Sequence, residues 1–147
     1  MSYFDYAEKY RVTAYLTFFA DTQVISMPRT DGKQSFYIAF ATASFKIDKK
    51  LCTLVLYKYP DDVQSKPLLF VPFKDLSNGT STYTGGRYLD LELTNNKTIT
   101  IDFNKAYNPF CVYNYQYTCP IPPKENFLDV AIDAGEKIYS IPSTDHL

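Results

Sequence analysis

From Tyr10 to Phe19 apolar and polar residues alternate. Tyr10, Val12, Ala14, Leu16 and Phe18 fall on one side, with Arg11, Thr13, Tyr15 and Thr17 on the other. A period of two is the signature of a strand with one buried face. A second run, Thr22 to Met27, follows and stops at Pro28. The turn Thr30-Asp31-Gly32-Lys33 leads into a third, Ser35 to Ala43. Phe45 and Ile47, then Asp48-Lys49-Lys50, then Cys52, Leu54 and Leu56 read as a hairpin. After a polar break from Pro60 to Pro67, Leu68 to Phe73 is a short apolar strand. Pro72 interrupts it, which predicts an edge strand or a bulge.

Asp75 to Gly86 is rich in turn residues, including Asn78-Gly79 and Gly85-Gly86. Arg87 to Leu93 and Thr98 to Phe103 read as a second hairpin around Asn95-Asn96-Lys97. Pairing Leu89 with Phe103, Leu91 with Ile101 and Leu93 with Ile99 gathers six apolar residues on one face. That register sets Asp90 opposite Asp102 on the other face. Directly opposed carboxylates repel, so water, a neighbouring Arg or Lys, or a shared proton would have to relieve them. Leu128, Val130 and Ile132 alternate again, and Ile138-Tyr139 suggests a last short strand. No segment keeps a 3.6-residue apolar period for ten residues, which leaves room for one short helix near the N-terminus. Short strands at this spacing predict an all-β fold, an antiparallel β-sandwich or a partly open β-barrel. The length of 147 residues fits one β-rich domain over residues 1–147.

Between Asp102 and Asn126 the pattern breaks. This stretch holds two cysteines, four prolines, four asparagines and four tyrosines. A long irregular loop must satisfy its own backbone groups, so ordering one calls for internal donors and acceptors. Arg87, after Gly85-Gly86, has two readings: a clamp for a carboxylate or phosphate, or a structural partner for Asp102 or Glu136 that organises the loop. Asn104, Asn108 and Asn126 are expected to bond loop amides and carbonyls. Tyr107, Tyr113, Tyr115 and Tyr117 are expected to form an aromatic lid or a stacking platform. In an extended segment the last three share one side.

Composition narrows the chemistry. Fifteen basic and sixteen acidic residues give a formal charge of −1, which argues against nucleic acid as a partner. The 14 Tyr and 11 Phe, with no Trp, favour strands and half-buried rings. The start of the chain lacks the pattern of a secretory signal or transit peptide. No apolar run approaches the roughly 18 residues of a membrane helix, so a soluble intracellular protein without membrane insertion is expected. The triplets Asn78-Gly79-Thr80 and Asn96-Lys97-Thr98 then read as turns. Phosphate-binding glycine loops, nucleophile elbows and paired-histidine motifs are missing, and the sole histidine is His146. No catalytic residue, metal or cofactor is therefore expected. Cys111 and Cys119 leave three readings open: a disulfide, part of a metal site, or two buried thiols.

The strings Thr82-Tyr83, Gly86-Arg87-Tyr88-Leu89, Asp102-Phe103-Asn104, Ala106-Tyr107-Asn108-Pro109, Cys111, Cys119-Pro120, Pro122-Pro123, Glu125-Asn126 and Ala134-Gly135-Glu136-Lys137 together carry a resemblance. The chain resembles the mostly bacterial family catalogued as domain of unknown function 1684. The resemblance implies a β-rich domain and brings no activity with it. Members of that family usually carry a further N-terminal region rich in Trp and Gly, and this chain starts after it. Where they commonly have a second proline after Asn-Pro, this chain has Phe110.

The candidate binding or loop-organising residues are thus Tyr83, Arg87, Asp102, Asn104, Tyr107, Asn108, Asn126 and Glu136, beside the thiols Cys111 and Cys119. The expected role is a non-catalytic domain that binds another protein or builds into a larger assembly. The alternative is a small-ligand binder or enzyme with a pocket around Arg87, Asp102, Asn104, Cys111 and Glu136.

Overall fold

The computed structural model describes residues 2–60 and 68–138. Six strands, β1 (Arg11–Pro28), β2 (Gln34–Ile47), β3 (Lys50–Lys58), β4 (Leu68–Phe73), β5 (Arg87–Glu92) and β6 (Thr98–Asp102), form one sheet in the order β5-β4-β3-β2-β1-β6. Every pairing is antiparallel. The sheet curls into a nearly closed barrel with β5 and β6 as its edges. Among the described residues the helical pieces are single 3-10 turns, at Glu8–Tyr10, Phe103–Lys105, Phe110–Val112 and Lys124–Asn126.

The expected runs Tyr10–Phe19 and Thr22–Met27 are one strand, β1. Its register with β2 slips between Phe18 and Gln23, where four residues of β1 face Phe40 alone. The slip bends the strand, as a bulge does, and the Phe18 and Phe40 rings meet edge to face there at 5.3 Å. Ser35–Ala43 and Phe45–Ile47 are likewise one strand, β2. The β2–β3 hairpin is as expected: Ile47 pairs with Lys50, and Asp48 and Lys49 both have positive φ, the geometry of a tight two-residue turn.

Three expectations fail. The Arg87–Leu93 and Thr98–Phe103 runs are strands, but they do not pair with each other. β6 pairs with β1, Val12 opposite Ile101 and Ala14 opposite Ile99, and β5 pairs with β4. The same alternation that faces Ile99 and Ile101 inward in a local hairpin does so beside β1, so the pattern alone cannot choose the neighbour. Asp90 and Asp102 therefore are not a cross-strand pair.

Nor is β4 an edge strand, since it lies between β3 and β5. Pro72 is tolerated because β3 pairs with β4 only at Tyr57–Phe70 and Lys58–Leu69, and has diverged by Pro72. Leu128–Ile132 forms no strand, although Leu128 and Ile132 are buried. Its backbone leans on the end of β4, with Leu128 N donating to Lys74 O at 2.7 Å and Leu76 N to Val130 O at 2.9 Å. Ile138 N donates to Ser81 O at 2.9 Å. Tyr139, the other half of the expected last strand, lies outside the described residues.

Two apolar clusters use the two faces of the sheet. Inside the barrel Phe45, Leu54, Leu56, Leu69, Val71, Phe73, Leu89, Ile101 and Phe103 pack with Leu128 and Ile132. On the outward face Tyr37, Tyr57, Phe70 and Tyr88 pack with Met27 and Cys119, and Tyr107 and Cys111 lie against them. The Tyr- and Pro-rich crossing thus covers the outer face of β2–β5. Its first half, up to Ile121, joins the outer cluster, and residues 126–136 close the inner core.

Candidate functional site

Arg87 opens β5 and is fully buried. One terminal nitrogen donates to the carbonyls of Ala134 and of Glu136, the latter at 3.2 Å. The other donates to Ile132 O at 2.9 Å and lies 3.7 Å from Asp75 Oδ1. The guanidinium also sits over the Phe73 ring, 5.4 Å from its centre. Burial lowers its pKa from the ordinary value, and the charge of Asp75 acts against that. The expected partner Asp102 is not near. The carboxylate that sequence reasoning missed is Asp75, which also accepts from Ser77 Oγ at 2.6 Å and from Ile132 N. No sequence signal marked it: Asp75 opens a turn-rich stretch, and the Phe73–Arg87 pairing that brings it near the guanidinium appears only in the sheet.

The space that the glycines open is taken by the chain itself. A Cβ on Gly85 would stand 2.5 Å from the Tyr83 ring, and one on Gly86 2.5 Å from Phe73 O. Tyr83 is half-buried, and burial raises its phenol pKa.

Asn126 is fully buried where β3 and β4 part. Its amide accepts from Val55 N at 2.8 Å and donates to Val55 O at 3.0 Å and to Pro72 O at 2.8 Å. It stands in for the strand that Pro72 cannot pair with. Asn104 treats the N-terminal segment in the same way, accepting from Ala7 N and donating to Ala7 O, each at 3.0 Å. Asp102 accepts from Asn104 N at 3.0 Å and from its amide at 2.8 Å. Asn108 N donates to Glu136 Oε1 at 2.8 Å, and its amide reaches Lys137 O at 3.1 Å and the Tyr113 hydroxyl at 3.2 Å. Arg87 and Glu136 therefore come together, and Asn108 joins them through Glu136. Asp102 and Asn104 lie elsewhere, at the end of β6, so the five-residue pocket of the alternative reading does not converge.

Cys111 and Cys119 are free thiols in the outer cluster. Burial and the second thiol push Cys111 up to about 11. Among the described residues no group of three His, Cys, Asp or Glu could hold a metal. Tyr107 pairs with Tyr88 through both backbone groups and donates its hydroxyl to Asp90 Oδ2 at 2.9 Å. Residues 110–117 turn rather than extend, with Asn114 N bonded to Phe110 O and Tyr117 N to Asn114 O. The expected row of Tyr113, Tyr115 and Tyr117 along one extended side is therefore not formed. Arg29 holds this half of the crossing from the end of β1, donating to the hydroxyl and the carbonyl of Thr118. The Tyr88 hydroxyl donates to Pro120 O.

Between the β5 and β6 edges runs a groove of about 720 Å³, lined by both strands, Arg11 and Lys105; Asp90, Glu92 and Asp102 stand in it. Fold and site together define an all-β, barrel-like domain whose irregular crossing is tied to the sheet by buried Arg and Asn side chains. The chain belongs to the family described as proteins of unknown function, DUF1684, whose model matches residues 1–137. It is similar to an uncharacterised protein of Haloarcula marismortui solved by solution NMR, with 39% identity and a TM-score of 0.75. The match covers 92% of this chain and 75% of that one. No curated protein matches the chain.

Proposed function

We propose that this chain is a non-catalytic β-domain that holds another protein or builds into a larger assembly. The observation that carries the reading is the outer half of the crossing. Phe110, Tyr115 and Tyr117 are 65%, 91% and 55% exposed, although Arg29 and Tyr88 pin the same loop to the sheet. The Phe110 and Tyr117 rings lie 5.8 Å apart. Large rings kept in water on an anchored loop are the anatomy of a protein contact surface. The ligand-pocket alternative draws less support, since Arg87 donates to carbonyls of its own chain and Asp102 lies in a different groove. An intracellular setting is part of the proposal, in keeping with the free thiols in the outer cluster. Among the described residues no helix is long and apolar enough to cross a membrane.

The test is affinity capture from the native cell with the wild-type chain and with a Phe110→Ser, Tyr115→Ser, Tyr117→Ser triple variant. A defined partner that the wild type retains and the folded triple variant loses is the expected result. Equal capture by both, or no partner under crosslinking, overturns the reading.

A further inference from the structure

The two edges of the sheet, β5 and β6, border one groove. In β5, Tyr88 turns its N–H and C=O away from β4, to Tyr107. By alternation, Asp90 and Glu92 point their backbone groups the same way, into the groove. In β6, Leu16 N donates to Lys97 O, which makes 16/97, 14/99 and 12/101 the bonded pairs with β1. Thr98, Thr100 and Asp102 then turn their backbone groups into the groove from the far side. Among the described residues no backbone group pairs with Asp90, Glu92, Thr98 or Thr100 on that side.

We propose that this groove is a strand-acceptor site that takes a short extended segment of a partner protein, apolar side chains facing in and basic side chains facing out. It rests on the interaction reading above and gives it a second, chemically defined surface. Tyr107 already occupies one position of the slot, bonded to Tyr88 at 2.9 and 3.0 Å, so the β5 edge accepts a strand neighbour at that end. Beyond Tyr107 the slot runs beside residues 89–93, room for about four residues at roughly 3.3 Å each. Leu93 and Ile99 are half-buried against the inner core, and an incoming apolar side chain would cover them. Outward, β5 presents Asp90 and Glu92, both exposed, and no basic residue. Arg11 stands beside Asp102 in the β1–β6 register, which leaves Glu92, and the Asp90 oxygen that the Tyr107 hydroxyl does not engage, to a basic guest. Because β5 and β6 run in opposite directions, one inserted strand is antiparallel to one edge and parallel to the other. It joins both edges and closes the barrel, the strand-addition mode of peptide recognition.

The probe is a capped synthetic peptide, Lys-Val-Lys-Val-Lys-Val-Lys, titrated into the isotope-labelled chain by NMR. It is expected to move the amide signals of Asp90, Glu92, Thr98 and Thr100. A copy N-methylated at alternate residues should bind about tenfold more weakly, as should one with Glu for Lys. Thr100→Pro removes a groove-facing N–H without touching a β1 ladder bond, so it should abolish binding with the remaining spectrum retained. Glu92→Pro does the same from the other edge if Thr100→Pro fails to fold. Signals that do not move, or equal binding of the N-methylated peptide, overturn the proposal. Groove signals that move with protein concentration alone overturn it in favour of a second copy of the chain. A cellular partner lost by the loop triple variant but kept by Thr100→Pro sinks the groove and leaves the interaction reading standing. Peptide binding at the groove with no cellular partner does the reverse.

Discussion

The two halves of the C-terminal crossing are equally irregular and are held by different means. Residues 126–136 are fixed from within, where Arg87 gathers three carbonyls, Asp75 accepts Ile132 N, and Asn126 fills the gap between β3 and β4. Residues 107–121 are fixed mainly from without, by Tyr107 on Tyr88, Arg29 on Thr118 and a layer of tyrosine rings, with Asn108 on the buried Glu136 carboxylate as an inward tie. In the inner half buried side chains stand in for missing strand neighbours beside a few backbone bonds, and removing one strands polar groups in a dry core. In the outer half water can take over most contacts. Order in a loop thus depends less on its composition than on whether its anchors lie in the core.

That contrast can be broken first at Arg87. Arg87→Met leaves the buried Asp75 carboxylate without its counter-charge and three carbonyls without their donor, and should cost about 3–5 kcal/mol in urea unfolding. A loss below about 1 kcal/mol would mean that the inner half does not rest on it. Asn126→Ala strips partners from Val55 N, Val55 O and Pro72 O, with an expected loss of about 3 kcal/mol by the same measurement. Arg29→Ala, the outer counterpart, should cost only about 1 kcal/mol. Its main effect should be faster amide hydrogen exchange at residues 111–121. A loss as large as that at Arg87 would erase the distinction between the halves.

Alkali sharpens the comparison, because the phenols and the thiol raised furthest cluster on the outer face. Folded Tyr57 keeps its proton up to about 12 through burial, against an ordinary 10.0, and Cys111 up to about 11, against 9.0. Burial raises Tyr88 and Tyr107 as well. A raised folded pKa gives stability that is whole below the unfolded pKa and is lost as pH rises through the folded one. The urea midpoint should therefore fall between pH 9 and 12, with tyrosinate at Tyr57, Tyr88 and Tyr107 appearing together with loss of the β signal. Tyrosinate from all three of these tyrosines near pH 10 in a still-folded chain would contradict the packing. The smallest effect belongs to the exposed Lys50–Asp129 bridge at 2.6 Å, where Lys50→Ala should change stability by less than about 0.5 kcal/mol.

The six strands were readable because alternation survives any choice of neighbour, although Leu128–Ile132 alternates too and forms none. Tyr10–Phe19 and Phe45–Leu56 carry their buried faces whatever lies beside them. Pairing was not readable for β6, since Ile99 and Ile101 face inward equally well against β5 or β1. Pro72 misled because the rule against central prolines assumes an unbroken ladder, and Asn126 supplies the missing neighbour from 54 positions further along the chain. Arg87, Asn108, Asn126 and Glu136 stood out as polar residues in an apolar frame. Asp75 did not, because it sat in what read as an ordinary turn. Asn104 and Asn126 each grip both backbone groups of one residue, Ala7 and Val55. Composition marks such residues, but only three dimensions show which residue they grip.

The strand order has a consequence during synthesis. β1 through β5 can zip up as successive hairpins while the chain emerges from the ribosome, each new strand meeting the one before it. The free side of β1 has to wait until Thr98–Asp102 arrives, some 85 residues after the partners Arg11–Tyr15 have been made. Throughout that interval β1, one of the first strands made and the longest, offers a bare ladder to any nascent neighbour. The arrival of β6 therefore covers that ladder, and slowing translation between Glu92 and Thr98 should raise aggregation more than the same pause after β6 has emerged.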